Sequence, residues 1–454
     1  MKRRVSMRTW IAGALLLAGC SSVNFEHDVD RASALVESRS GLKTAWREEQ
    51  GPPAWDGRSP LGATQAATVA LQNNRELRAE LEQIAAARAD LVQAGLLPNP
   101  IVSLAFRLPL QGGNATFDAG FIQQFTDLWL RPYRKGAAQA QLERIVMSAS
   151  DRALRTVADV RQAYLRVLYT SRGLELTRAN IALVQQAIEA TEHRVLAGEA
   201  SRLDVNRVRQ LLLLQQAELM RDEIELDKRR RELLSRMGLA QGSADWTLAG
   251  ESSPQATTPI AIALSETDVM ELAQRQRLDV VAARYIVEAR REELGLASRT
   301  GRPTLGGGAQ LEFQDGKGEL GPAVEVGLPI FDTGRARQAK AAAELRSAQA
   351  LAEQAEQQAI AQTRSAWLDV KQARDLAAAY REQVVALAEQ NLSLAQSAIK
   401  SGTADQTVLL EAQRELITAR RALNDFEAQR SVAEVELEYA VGGILRQPGE
   451  HEPP

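Results

Sequence analysis

The chain has 454 residues, of which 45% are hydrophobic, 25% charged and 4% aromatic, so it can bury a large core and is neither disordered nor fibrous. Its formal net charge is -3, and -7 once the basic residues Lys2, Arg3, Arg4 and Arg8 of the leader are set aside, which excludes the basic stripe of a nucleic-acid binder. His27, His193 and His451 are scattered without a carboxylate or Cys at ligand spacing, and no nucleophile–base pair or cofactor loop is present, so no metal site, cofactor or enzyme is expected.

Residues 1–19 read as a secretion signal. A basic start leads into the apolar run "WIAGALLLAG", which is too short to span a membrane. The sequence Leu17-Ala18-Gly19-Cys20 resembles a bacterial lipobox, in which the cysteine becomes the acylated first residue of the mature chain. A plain signal peptide followed by an incidental cysteine is the alternative. Ser21 and Ser22 follow with no Asp beside Cys20, which by analogy with such lipoproteins favours the outer membrane. Cys20 is the only cysteine, so no internal disulfide is expected. Residues 20–61 read as an extended arm broken by "QGPPAWDGRSP".

Residues 62–238 form a first repeat. A short helix ("ATQAATVALQN") and a longer one from Arg75 end at "LPNP", because proline cannot continue a helix and disfavours it in the residue before. A β-hairpin over 99–127 follows. Val102, Leu104 and Phe106 alternate with Ser103, Ala105 and Arg107, and Phe117, Ala119 and Phe121 with Thr116, Asp118 and Gly120. A period of two with one apolar face marks a half-buried strand, and strands of about ten residues can cross a bilayer when tilted. An ordinary hairpin packed on a core fits the same pattern. A long helix over 132–197, a tip at Gly198 and a returning helix over 202–237 complete the repeat, and 239–264 reads as a linker.

Residues 265–443 repeat the plan: helix, hairpin 303–331, long helix 335–401, tip at Gly402 and helix 406–441, followed by a disordered tail over 444–454. Arg75 matches Arg277, Tyr164 matches Trp367, Gly198 matches Gly402 and Gly238 matches Gly442 at offsets of 202, 203, 204 and 204. So small a drift indicates duplication. At 1.5 Å per residue, each long helix of roughly 65 residues spans about 97 Å, close to the sum of the two shorter helices of its repeat laid end to end. The fold class expected is therefore mainly α with a small β part, a rod of twofold-repeated antiparallel helical hairpins with both β-hairpins at one end and both tips at the other.

Four strands cannot close a barrel, and a sheet in lipid must be closed. Eight strands from two chains are filled by their own side chains, whereas twelve from three leave a lumen, which favours a trimer. Apolar residues would then face lipid, while Ser103, Arg107, Thr116, Asp118, Gln124, Gln310, Glu312 and Glu325 face water.

The order of these elements, with the phrases "AGLLPNP", "LPIFDTGRAR" and "AGEASRLDVNRV", resembles the TolC-like outer membrane efflux protein family in its lipoprotein branch, over residues 62–443. The resemblance implies a homotrimeric channel-tunnel of a tripartite efflux system, with a 12-stranded barrel in the outer membrane of a Gram-negative bacterium and a helical tunnel across the periplasm. Its tips, here Gly198 and Gly402, would meet a periplasmic adaptor (membrane fusion protein) fed by an inner-membrane pump. Acidic residues past the tips narrow the mouth in that family. Here Asp204 keeps its place, and the second repeat offers Glu411 where the family has a second carboxylate, with Val408 in place of the first. A helix cap is expected at Asp405. A periplasmic coiled-coil adaptor or an envelope-scaffold lipoprotein is the competing function.

Overall fold

The computed structural model of the protein describes residues 23–44, 46, 55–108, 110, 115–249, 265–314, 317–404 and 406–443. The leader, Cys20, Asp405, residues 250–264 of the linker and the tail from 444 lie outside the described residues. Helices α1 (Glu26–Ser40), α2 (Ala63–Asn73) and α3 (Arg75–Ala94) precede strands β1 (Ile101–Arg107) and β2 (Thr116–Gln124), and α4 (Asp127–Leu196) and α5 (Arg202–Arg236) follow. The order then recurs as α6 (Glu266–Gln276), α7 (Leu278–Thr300), β3 (Thr304–Gln314), β4 (Lys317–Gly327), α8 (Arg335–Ala379), a π-helical turn (Tyr380–Val385), α9 (Ala386–Lys400) and α10 (Gln406–Val441).

Five elements differ from the sequence reading. The arm is not extended throughout, because Val29, Ala32 and Val36 form a buried stripe at helical spacing and Glu26 and Asp28 favour the helix N-terminus. Helix α4 begins at Asp127, with Pro132 inside it near the start. Strands β1 and β4 end two residues before Pro109 and Pro329 in the sequence, and proline has no N–H to give to a ladder. The second long helix is interrupted by the π-helical turn, whereas α4 is continuous.

The chain folds as two compact units. Among the described residues, one takes those within 23–30, 81–146 and 282–353, the other those within 31–80, 147–281 and 354–443. The first holds all four strands, in one antiparallel sheet of order β1-β2-β3-β4. In its helical part the fully buried Asp28 carboxylate accepts two hydrogen bonds from Arg88, both 2.6 Å. The Arg299 guanidinium lies 4.1 Å from the centre of the Tyr133 ring, which Gly295 lets approach so closely that a Cβ there would stand 2.7 Å from it.

The second unit holds both tips. Val269, Ala366, Val370, Leu437, Ala440 and Val441 form one of its apolar clusters. Polar ties pin the helices around it. Tyr169 and Ser431 share a hydrogen bond of 2.9 Å, Asn424 donates to the Tyr169 carbonyl, and Arg161 pairs with Glu438 at 2.6 Å. Asp151 accepts from the Tyr439 hydroxyl at 3.3 Å, near Arg277, which is itself buried and donates to Asp279, Gln362 and the Ala440 carbonyl. Trp55 and Trp246 meet edge to face at 6.0 Å.

The same glycine device occurs after α5 and after α10. Gly238 (φ 76°) and Gly442 (φ 99°) take left-handed conformations, and a Cβ would lie 2.7 Å from the Asn73 carbonyl oxygen and 2.9 Å from the Gln276 carbonyl carbon. Gly198 (φ 78°) shares the conformation, but a Cβ there meets nothing within 4 Å. An L-residue in this conformation costs about 1–2 kcal/mol. Gly198→Ala should therefore destabilise by about that amount, and Gly238→Ala by clearly more, because strain and overlap add. Chemical denaturation of both variants checks this, and equal losses would contradict it.

Burial, and after it the charge of Asp279, push the Asp151 carboxyl up to about 6. The folded chain then holds a proton there that the unfolded chain releases near the ordinary value of about 4. Stability should fall as pH rises from about 4 to about 6 and level off above, and Asp151→Asn should remove that part of the slope. Parallel denaturation curves for the two proteins across this range would refute the assignment.

Candidate functional site

The register of the sheet decides which side chains share a face, because directly paired residues point the same way. Val102 pairs with Phe121, Leu104 with Ala119 and Phe106 with Phe117; Phe117 pairs onward with Phe313 and Ala119 with Leu311, which pairs with Leu320. All four strands therefore turn most of their apolar residues to one side, while Ile101 and Ile122, paired with each other, lie on the other. That side is open: Leu104 is 63% exposed, Phe106 74% and Val324 73%. The alternative of a hairpin packed on a core is overturned by these exposures. Contiguous exposed apolar surface of this kind marks a membrane or a partner. The rings of Phe106, Phe117 and Phe313 form a row across three strands, with centres 4.7 Å and 6.4 Å apart.

The opposite face carries the charged groups. Asp118 pairs in register with Glu312, and Glu312 with Glu319, so three carboxylates stand in one row across β2, β3 and β4. Arg107 of β1 reaches into it with an ion pair of 2.9 Å to the buried Asp118. Glu325 lies on the same face and accepts a hydrogen bond from Gln124 at 3.1 Å. Arg107, Asp118, Glu312 and Glu325 thus share a face, as the alternation predicts. Glu319 was missed, because "DGKGEL" reads as a turn while the structure starts β4 at Lys317. The run Gly306–Gly308 serves close approach within the sheet: a Cβ on Gly308 would stand 1.7 Å from the Phe121 carbonyl oxygen, and one on Gly307 2.8 Å from the Phe125 ring. Strands β1 and β4 are the edges of the sheet, each with a neighbour on one side only.

The tips are built alike. At the first, the Gly198 N–H donates to Val195 and the Glu199 N–H to Arg194; at the second, Gly402 donates to Ile399 and Thr403 to Ala398. Each is the closing motif in which a left-handed residue turns the last two N–H groups back onto free carbonyls. The Arg194 guanidinium donates to the Thr407 hydroxyl at 3.2 Å, joining the first hairpin to the second. Leu196 and Leu203 are exposed beside the first tip.

Asp204 closes a capping box. Its N–H donates to the Ser201 hydroxyl, and its carboxylate accepts from that hydroxyl at 2.7 Å and from the Ser201 N–H at 3.0 Å. These bonds, the hydroxyl's foremost, hold its carboxyl below the usual carboxylate range. Glu411 is exposed on α10, next to the buried Leu410. Among the described residues no group of His, Cys, Asp and Glu could hold a metal ion, and no helix is long and apolar enough to cross a membrane.

The outer membrane efflux protein family model matches residues 269–443. The chain is 29% identical over 412 residues to the outer membrane protein OprJ of Pseudomonas aeruginosa, covering 83% of this chain and 82% of that one. It is 23% identical over 401 residues to the cation efflux system protein CusC of Escherichia coli O157:H7, covering 83% and 85%. A crystal structure of a membrane protein from Pseudomonas aeruginosa superposes with a TM-score of 0.68 at 24% identity, over 84% of this chain and 92% of that one. The element order, the two-faced sheet and these likenesses agree: residues 269–443 match the outer membrane efflux protein family, and over most of its length the chain resembles an outer-membrane protein and a component of a cation efflux system.

Proposed function

We propose that the protein is the outer-membrane channel-tunnel of a tripartite efflux system, conducting substrates passively while its partners supply the energy. The observation that carries this reading is the sheet, exposed and apolar on one face, charged on the other, with two edges lacking neighbours. In lipid an open edge is costly, because each unsatisfied backbone group costs several kcal/mol. Three copies joining β4 of one chain to β1 of the next would close a barrel of twelve strands with the carboxylates lining its lumen.

The helical hairpins, a duplicated unit on this reading, would line a periplasmic tunnel. The turns at Gly198 and Gly402 would meet the adaptor, and an inner-membrane pump would feed it. Glu411 is free to stand at a periplasmic aperture, where a ring of carboxylates attracts cations. Asp204 would add less charge-driven selectivity there, since one of its oxygens takes both bonds from Ser201 and the other faces Arg207 at 3.5 Å. Cys20 would be acylated and would anchor the mature chain. A coiled-coil adaptor or envelope scaffold has no use for a bilayer-facing sheet, which weighs against that alternative.

Deleting the gene should sensitise cells to the cargo, and the wild-type gene should restore resistance. Val324→Arg should not restore it, because a charge on the lipid face costs about 2–4 kcal/mol near the bilayer midplane in each copy. That variant should be missing from outer-membrane fractions as a heat-modifiable trimer. Glu312→Gln should assemble normally and shift single-channel selectivity away from cations. Val324→Arg trimers that insert and conduct like wild type would sink the barrel.

Cys20→Ser should abolish acylation and release the chain from the outer-membrane fraction into the soluble periplasm or the inner membrane. Metabolic labelling with a fatty acid and fractionation check this, and unchanged labelling would overturn the anchor.

A further inference from the structure

From the level of Tyr164 and Trp367 to the tips, the second helical run is one residue longer than the first, and the structure shows where that residue went. Arg161 and Tyr164 of α4 correspond to Arg364 and Trp367 of α8 at an offset of 203, and the tip glycines Gly198 and Gly402 stand at 204. Buried positions bracket the change. Val167 and Val370, then Leu174 and Ala377, are buried pairs at the offset of 203, whereas Val184 and Ala388 are buried at 204. The second helix has gained one residue between Ala377 and Ala388, and the π-helical turn Tyr380–Val385 lies inside that interval.

The physics of the insertion is rotational. In an α-helix one added residue turns everything beyond it by about 100°. Here that would swing Ala388 and Ala395 off the buried face. A turn with i→i+5 bonding stores the extra residue instead, and such turns recur at functional places in helices. Beyond the turn the packing is undisturbed. Val385 and Ala388 cluster with Leu416 and Ala419 of α10, and Tyr380 and Leu392 lie against the same cluster. The turn is also clasped from α10: the Tyr380 ring sits 5.1 Å from that of Phe426, and Arg381 pairs with Glu427.

We infer that Tyr380–Val385 is a joint in the second hairpin, a single inserted residue held as a wide turn, which lets α9 and the Gly402 tip change their rotation without rewinding α8. Helix α4 carries no counterpart, so the freedom belongs to the second tip alone. The transport part of this inference rests on the channel reading above; the register part does not.

Two deletions test it in the full-length, membrane-extracted protein. Removing the exposed Glu382 should let the turn become ordinary α-helix with the offset restored to 203 throughout, keeping the melting temperature and assembly of wild type. Amide exchange across 380–388 should slow by about tenfold, because a weak local opening is lost. Removing the exposed Ala179, at the matching level of α4, should lower the melting temperature sharply, since no wide turn is available there to absorb the change. In cells the Glu382-deleted chain should reach the membrane and lose most of its transport. A Glu382 deletion as damaging to stability as the Ala179 deletion, or one with unslowed exchange, overturns the stored insertion. Full transport by the stable Glu382-deleted chain overturns the joint. The stability and exchange measurements need no transport, so a failure of the channel reading alone leaves them intact and is recognised by wild type conferring no resistance.

Discussion

The structure depends on one unmet demand, the backbone hydrogen bonds at the two edges of a sheet whose exposed face is apolar. In water such a sheet is an aggregation template, and in lipid its edges have nothing to bond. On the proposed reading a ring of copies would answer both at once, and the chain's patterning accords with it. Its strands keep a period of two, most of their apolar residues fall on one side, and their carboxylates fall on the other.

The helical parts follow a different economy of contacts. Buried positions in the long helices are largely alanine and valine, which let helices approach closely without large side chains between them. Many charged pairs lie on exposed helix surface, where each is worth at most about 1 kcal/mol. Register is set instead by the few polar groups that are buried and fully engaged, such as Asp28 with Arg88 and Tyr169 with Ser431. Leaving one member of such a pair unpartnered costs more than the pair contributes, so these contacts select one alignment of the helices over its neighbours.

Much of this was legible in the sequence because it rests on periodicity. The faces of Arg107, Asp118, Glu312 and Glu325 follow from alternation alone, and α2 and α10 from their flanking breakers. The ion pair between Arg107 and Asp118 was not legible, since it depends on which residues stand opposite each other. Glu319 was hidden by a glycine-rich stretch that resembles a turn yet starts a strand. Pro132 misled in the other direction, since the helix begins five residues before it. The cap at Asp204 was readable from Ser201-x-x-Asp204, a spacing that serves the backbone whatever else the carboxylate does. The wide turn at Tyr380 has no compositional mark, and its trace is only the step in repeat offset from 203 to 204.

The break between the paired short helices is made differently in the two halves. In the first, the neutral Asn74 side chain accepts from the N–H groups of Glu76 and Leu77; in the second, the charged Arg277 is buried and binds Asp279, Gln362 and the end of α10. The halves share a layout but not a fastening. Arg75, which stands at the matching place in the first half, is exposed, so only in the second half is that guanidinium drawn inward to hold the end of the returning helix.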